Sequence, residues 1–330
     1  MTTTDDPAAP VARNPRREAQ ELAGERFEAR VLEPSPPANL DPQWFADDPV
    51  ARGEPRSRLV VGPTSGADLT WDDFLKDRPD LEAWAAARWL GAYRRLARPP
   101  ATFVGTRLAL HRVAVYAVSP ARRRANGKIA LRWTFGGLGT PFFGDDEQVR
   151  ITAGGLVRQR GDRADAAPFA TLAAAAAFVL DGPADLAWAE GFDVPEAGDL
   201  QAPLAVDPAA AALLGDWYGF ASSVLEELRA RPASAEASRM QLWPEHFDAA
   251  FDGLSGDRRA TFGASPGDGT VPEPYLYVLP ARFDAVPASA LWNAGSFRGA
   301  ILRLDEFVDA ADQRAAALAF FRERIALLEA

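Results

Sequence analysis

The run Leu242-Trp243-Pro244-Glu245-His246-Phe247-Asp248 sets an imidazole beside one carboxylate and two residues from another. If Glu245 to Asp252 is extended, alternation puts His246, Asp248, Ala250 and Asp252 on one face and Glu245, Phe247, Ala249 and Phe251 on the other. A histidine and an aspartate on one face suit proton exchange with a ligand. With further carboxylates such as Glu245, Asp268 or Glu273 brought in by folding, they suit a divalent cation. His-x-Asp alone supplies only two ligands, and the only other histidine, His111, is far away in sequence. The commoner role of such a ring is an orienting hydrogen bond to a carboxylate or the backbone, with no ligand. Trp243, Tyr275, Tyr277 and Trp292 are the nearest aromatics, fit either for the walls of a small-molecule pocket or for ordinary core and cross-strand pairs. The candidate binding set is therefore Trp243, Glu245, His246, Asp248, Asp268, Glu273, Tyr275 and Trp292. No catalytic residue, metal set or cofactor is singled out.

Other motifs fail on context. Gly263-Ala264-Ser265-Pro266-Gly267 matches the G-x-S-x-G of a hydrolase elbow, but Pro266 has no N–H for an oxyanion hole and Thr270–Pro274 is not helical. A tight turn at Pro266-Gly267-Asp268 is the better reading. Gly136-Gly137-Leu138-Gly139 lacks both a following helix and the Lys-Ser/Thr of a phosphate loop. Asp145-Asp146-Glu147 lacks the alternating ligands of a calcium loop. Arg122, Arg123 and Arg124 are more simply solvated than anion-binding.

The elements that must carry the candidate residues form a three-stranded meander. The strand from Glu245 turns at Gly253–Gly256, returns over Arg258–Gly263, and is followed by a third strand at Tyr275–Val278. Upstream, alternation over Arg107–Val118, an Asn126-Gly127 turn and a partner strand over Lys128–Phe135 predict a hairpin in which His111 is a satisfied, partly buried ring. Val149–Ile151 and Leu156–Val157 predict two more strands, and Phe297–Leu302 another. Helices are expected from Pro79 to about Arg98, over Pro168–Leu180, from Asp207-Pro208 to Pro232 with Leu214, Trp217, Tyr218, Ala221, Leu225 and Leu228 buried, and over Ala311–Leu328. Runs of strands and helices that do not alternate as β–α units indicate an α+β fold, with antiparallel sheet covered by helices.

Residues 1–67 hold ten of the chain's 27 prolines, mixed charge and little apolar content, and are expected to be a disordered or surface-draped arm. Its Trp44-Phe45 pair suits a local anchor or a protein-partner motif. Residues 68–330 then make a single domain, or two closely packed halves at 68–182 and 207–330. A net charge of −10 argues against nucleic-acid and anionic-membrane partners. The absence of cysteine removes disulfides and thiolate chemistry. Without a secretory signal or a membrane-length apolar run, a soluble cytoplasmic protein is expected.

LWPEHFD at Leu242–Asp248, ASPGD at Ala264–Asp268, PEPYLYV ending at Val278 and the ALAFF of Ala317–Phe321 resemble an uncharacterised actinobacterial family. They are similar, more distantly, to a widespread bacterial domain of unknown function. The resemblance spans most of residues 70–328 and implies a recurring domain without assigning an activity. Three functions follow as expectations. The first is a small-molecule-binding domain using the polar face of the 241–280 meander. The second is an enzyme pairing His246 with a carboxylate, with or without a metal. The third is a structural or partner-binding protein acting through the arm.

Overall fold

The structure, a computed structural model, describes residues 30–32, 59–61 and 95–330, apart from 135–136, 142, 144–146, 161–162, 230–236 and 239. Arg30–Leu32 (β1) and Leu59–Val61 (β2) pair antiparallel as a ribbon. The rest of the expected arm, its Trp44-Phe45 pair and the helix expected after Pro79 up to residue 94 lie outside the described residues. Arg95, expected in the last turn of that helix, lies instead outside any helix or strand. Its guanidinium donates to the carbonyls of Ala310 (2.7 Å) and Val308 (3.1 Å).

The first arm of the expected hairpin, Arg107–Val118, is a helix, while of its expected return strand Arg132–Thr134 is a strand. Phe103–Val113 (α1), a π-helical turn over Ala114–Val118 and Ser119–Asn126 (α2) follow one another without a break. The alternation misleads because the exposed side of α1 carries apolar Val104 and Leu108 and every residue from Val113 to Pro120 is buried, so no polar period marks this stretch as helix. Asn126-Gly127 ends the helix: Gly127 takes φ 78° and its N–H bonds the Arg123 carbonyl at 2.8 Å. A left-handed glycine serves a helix C-terminus as well as a hairpin. Carbonyls loosened by the π turn find partners, Val115 accepting from Trp188 Nε1 (2.9 Å) and Tyr116 from the Asp185 N–H (3.2 Å).

The chain then lays down an antiparallel five-stranded meander: Arg132–Thr134 (β3), Gly137–Gly139 (β4), Glu147–Thr152 (β5), Leu156–Arg160 (β6) and Arg163–Ala167 (β7). Leu172–Leu180 (α3) starts at Thr171, whose hydroxyl accepts from the Ala174 N–H at 3.0 Å. Pro208–Arg229 (α4) is capped by Asp207, and its expected stripe from Leu214 through Trp217 to Leu228 is buried.

A second antiparallel sheet holds Gln241–Trp243 (β8), Asp248–Gly253 (β9), Ala260–Ser265 (β10), Tyr275–Pro280 (β11) and Ala300–Arg303 (β12), in the order β12-β11-β10-β9-β8. Leu304–Phe307 (α5) and Gln313–Glu329 (α6) close the chain. The fold is α+β, as its element order implies. Helix α4 packs against both sheets, whose edges meet where Leu131 and Leu242 exchange backbone hydrogen bonds (2.7 and 3.0 Å).

Leu242, Phe251, Phe262, Leu276, Val278 and Ala300 face inward and join one contiguous hydrophobic cluster with α4 and α6. The pleat turns Trp243, Asp248, Asp252, Thr261, Gly263 and Tyr277 to the other face. Of the candidate residues, Trp243, Asp248 and Tyr275 lie on this outward face. Among the described residues, no helix is long and apolar enough to cross a membrane.

Candidate functional site

The strand expected from Glu245 begins only at Asp248, because Pro244–Phe247 forms the turn between β8 and β9. Proline has no N–H to give a ladder, and Phe247 adopts φ 56°, so alternation cannot run through the segment. The Phe247 N–H closes the turn on the Trp243 carbonyl at 2.7 Å. Its ring drops into the core, stacked on His111 (centroids 4.5 Å apart, planes at 5°) and edge-on to Tyr218 at 5.7 Å. The Tyr218 hydroxyl donates to the Phe247 carbonyl at 2.5 Å.

His111, on α1 rather than a strand, is a buried and satisfied ring. Burial pulls its pKa down to about 4, against the pull of its backbone hydrogen bonds. At neutral pH the ring is therefore uncharged, and Nε2–H donates to the Pro244 carbonyl at 2.7 Å. Anchored from beneath by His111, Phe247 and Tyr218, the turn holds Glu245 and the exposed His246 outward.

Asp248 opens β9 opposite Trp243. Its carboxyl is 7 % exposed, and Oδ2 accepts a short hydrogen bond from the Tyr277 hydroxyl. Tyr277 stands two strands away, and its ring reaches Asp248 by lying across Gly263, its partner on β10. A Cβ at Gly263 would sit 2.2 Å from the Tyr277 ring, so only glycine leaves this path open. The first glycine of the G-x-S-x-G match thus has a packing role. Ser265 ends β10 and accepts from the Gly267 N–H at 3.1 Å, and a turn, not a helix, follows.

Asp248 Oδ1 is buried and has no partner, and neither has Glu245 Oε2. Burial raises the Asp248 pKa, outweighing the Tyr277 hydrogen bond and the nearby His246, while Glu245 pushes it in the same direction as burial. The Tyr277 hydroxyl is itself pushed well above its ordinary pKa by burial and by Asp248. Over this pair opens a cavity of about 390 Å³, lined by Trp243, Glu245, His246, Asp248 and Tyr277, with Leu279 at its apolar side. Asp252 and Thr261 complete its far wall and bond each other at 2.7 Å.

Four members of the candidate set thus come together: Trp243, Glu245, His246 and Asp248. Asp268 and Tyr275 form a second pair beside them, the Tyr275 hydroxyl donating to Asp268 Oδ2 at 2.6 Å and the Tyr275 and Tyr277 rings lying 6.2 Å apart. The other Asp268 oxygen accepts the N–H groups of Thr270 (2.6 Å) and Val271 (2.7 Å), closing the tight turn. Arg107 of α1, one helical turn before His111, donates to the Gly267 carbonyl of that turn. Glu273 is exposed on the loop before β11 and does not line the cavity. Trp292 lies in a loop away from the cavity, Nε1 donating to the Pro287 carbonyl at 3.0 Å and the ring set edge-on to Phe283.

Tyr277, Gly263, Thr261 and Asp252 belong to the site but not to the set drawn from sequence. The signal for Tyr277 and Gly263 was their shared outward phase on adjacent strands, which needs the register of β10 against β11. Among the described residues no three His, Asp or Glu side chains gather closely enough to hold a metal ion, which leaves the metal-dependent expectation without a ligand set. No family model, curated protein or solved structure matches the chain.

Proposed function

We propose that this chain is a small-molecule-binding domain whose ligand occupies the cavity over β8, β9 and β11. One observation carries the reading: a buried carboxyl, Asp248, lines an open cavity with one oxygen satisfied by Tyr277 and the other without a partner. Folded proteins rarely leave such a group unmatched, because its desolvation goes uncompensated. Binding pockets are where convergent polar atoms and aromatic walls occur together, as Asp248, Glu245, Trp243 and Tyr277 do here. The cavity volume suits a compact metabolite.

A metabolite panel read by thermal shift tests this. A ligand at a hundred times its Kd adds about 2.7 kcal/mol to wild-type stability, and Trp243→Ala and Asp248→Asn should each abolish that shift. Stabilisers that act equally on both variants would remove the site.

A second reading is favoured by one feature: a carboxyl whose pKa is raised by burial, beside an exposed histidine in the same cavity, is the pairing a proton-transfer enzyme uses. Turnover of any substrate by wild type but by neither His246→Ala nor Asp248→Asn would establish it; equal turnover by both variants would reject it.

A further inference from the structure

The cavity's charges are one-sided. Glu245, Asp248 and Asp252 all line it, and among the described lining residues His246 is the one basic side chain. Asp252 is already answered, by Arg259 at 2.6 Å and by the Thr261 hydroxyl. Glu245 and Asp248 form no ion pair with any described residue, and each keeps one buried oxygen without a donor. Two acceptors without donors, in a cavity also lined by Trp243 and Tyr277, call for a ligand that brings both positive charge and N–H groups.

We propose that the ligand is a small protonated primary amine, its ammonium donating to Asp248 Oδ1 and Glu245 Oε2 while Trp243 and Tyr277 pack against its carbon skeleton. This rests on the cavity being a binding site and adds the chemical class. Each part of the ammonium has a counterpart here. Its charge answers two carboxyl groups, its N–H bonds answer the two unpartnered oxygens, and the aromatic faces attract a cation where an anion would meet repulsion. A quaternary ammonium carries the charge but no N–H, so it would leave both oxygens unmatched. A carboxylate or phosphate ligand would face two acidic groups, with His246 the one basic side chain among the described lining residues to offset them.

Calorimetric titration of the full chain at pH 7.5 and low salt separates these classes, using 2-phenylethylamine, 2-phenylethanol, tetramethylammonium and phenylacetate. The amine should bind at least about tenfold more tightly than the alcohol, the margin expected of charge-assisted hydrogen bonds over neutral ones. Its affinity should fall as salt is raised, since the cavity is open to solvent. Glu245→Gln and Asp248→Asn, each checked for cooperative unfolding, should each erase most of that margin. Equal binding of amine and alcohol, both lost in Trp243→Ala, would overturn the amine assignment and leave the cavity as a binding site. Tetramethylammonium or phenylacetate binding as tightly as the amine would overturn it too. No binding by any of the four would overturn both the amine assignment and the small-molecule reading beneath it.

Discussion

Two aspartate–tyrosine pairs sit side by side on one sheet face, built from Tyr275 and Tyr277 of the same strand, yet the protein treats them in opposite ways. In the Asp268–Tyr275 pair every carboxylate oxygen is matched, by a hydroxyl on one side and two backbone N–H groups on the other. Burial would push Asp268 up, but the Tyr275 hydroxyl, the two N–H groups and nearby Arg107 together hold its pKa below the ordinary value. In the Asp248–Tyr277 pair one oxygen is matched and the other is not, and burial prevails. A hydrogen-bonded carboxylate tying up a turn is structural; a half-matched one in an open cavity costs stability that a ligand can recover.

The contrast breaks hardest at Asp268. Asp268→Ala removes three hydrogen bonds to a charged group and should cost about 3 kcal/mol at pH 7 by urea denaturation. Because its folded pKa is depressed, the stability it contributes is present above the unfolded value and is lost as pH falls through the folded one. The penalty should therefore shrink in acid.

Gly263→Ala drives a methyl into the Tyr277 ring and should cost about 2 kcal/mol, as overpacking does. It should also break the Asp248–Tyr277 hydrogen bond while sparing Asp268–Tyr275, which a crystal structure of the variant would display. An intact Tyr277–Asp248 bond in that variant would contradict the packing role of Gly263.

Asp248→Asn should do the reverse of the Asp268 change and raise stability by about 1 kcal/mol at pH 7, the increment typical when a functional group is traded for fold. The Asp248 pKa is raised on folding, so its favourable contribution is present below the unfolded value and is lost as pH rises through the folded one. The titratable groups around it are Tyr277, His246 and Glu245, with Tyr275 on the same strand as Tyr277 and Tyr218 of α4. The gain of the variant should accordingly vanish as both proteins are taken below that window, and a variant less stable than wild type at pH 7 would contradict the assignment. The smallest effect belongs to Asp252, whose pairing with exposed Arg259 is a surface contact. Asp252→Asn should change stability by less than about 0.5 kcal/mol.

The meander was legible because its signals are local. Gly253–Gly256 turns where a glycine-bounded gap separates two alternating runs, and Tyr275–Val278 alternates cleanly as β11. The α1–α2 rod was not legible, since its middle turns are buried all round, the exposed side of α1 is apolar at Val104 and Leu108, and a left-handed glycine ends either kind of element. At the site, Trp243, Glu245, His246 and Asp248 came together largely because the chain keeps them within one tight turn. Asp268, Glu273 and Trp292 were grouped with them on nearness in sequence, and their loops carry them to other tasks.

Residue order alone determined the α+β class, the meander of β9, β10 and β11 and the stretch that holds an imidazole beside two carboxylates, because turns, caps and alternation act over a few residues. Only the tertiary structure decided which carboxylate is satisfied and which is left half-matched. That outcome depends on Tyr277 crossing Gly263, on Arg107 and His111 of a distant helix bracing the turns at Gly267 and Pro244, and on the water that burial removes.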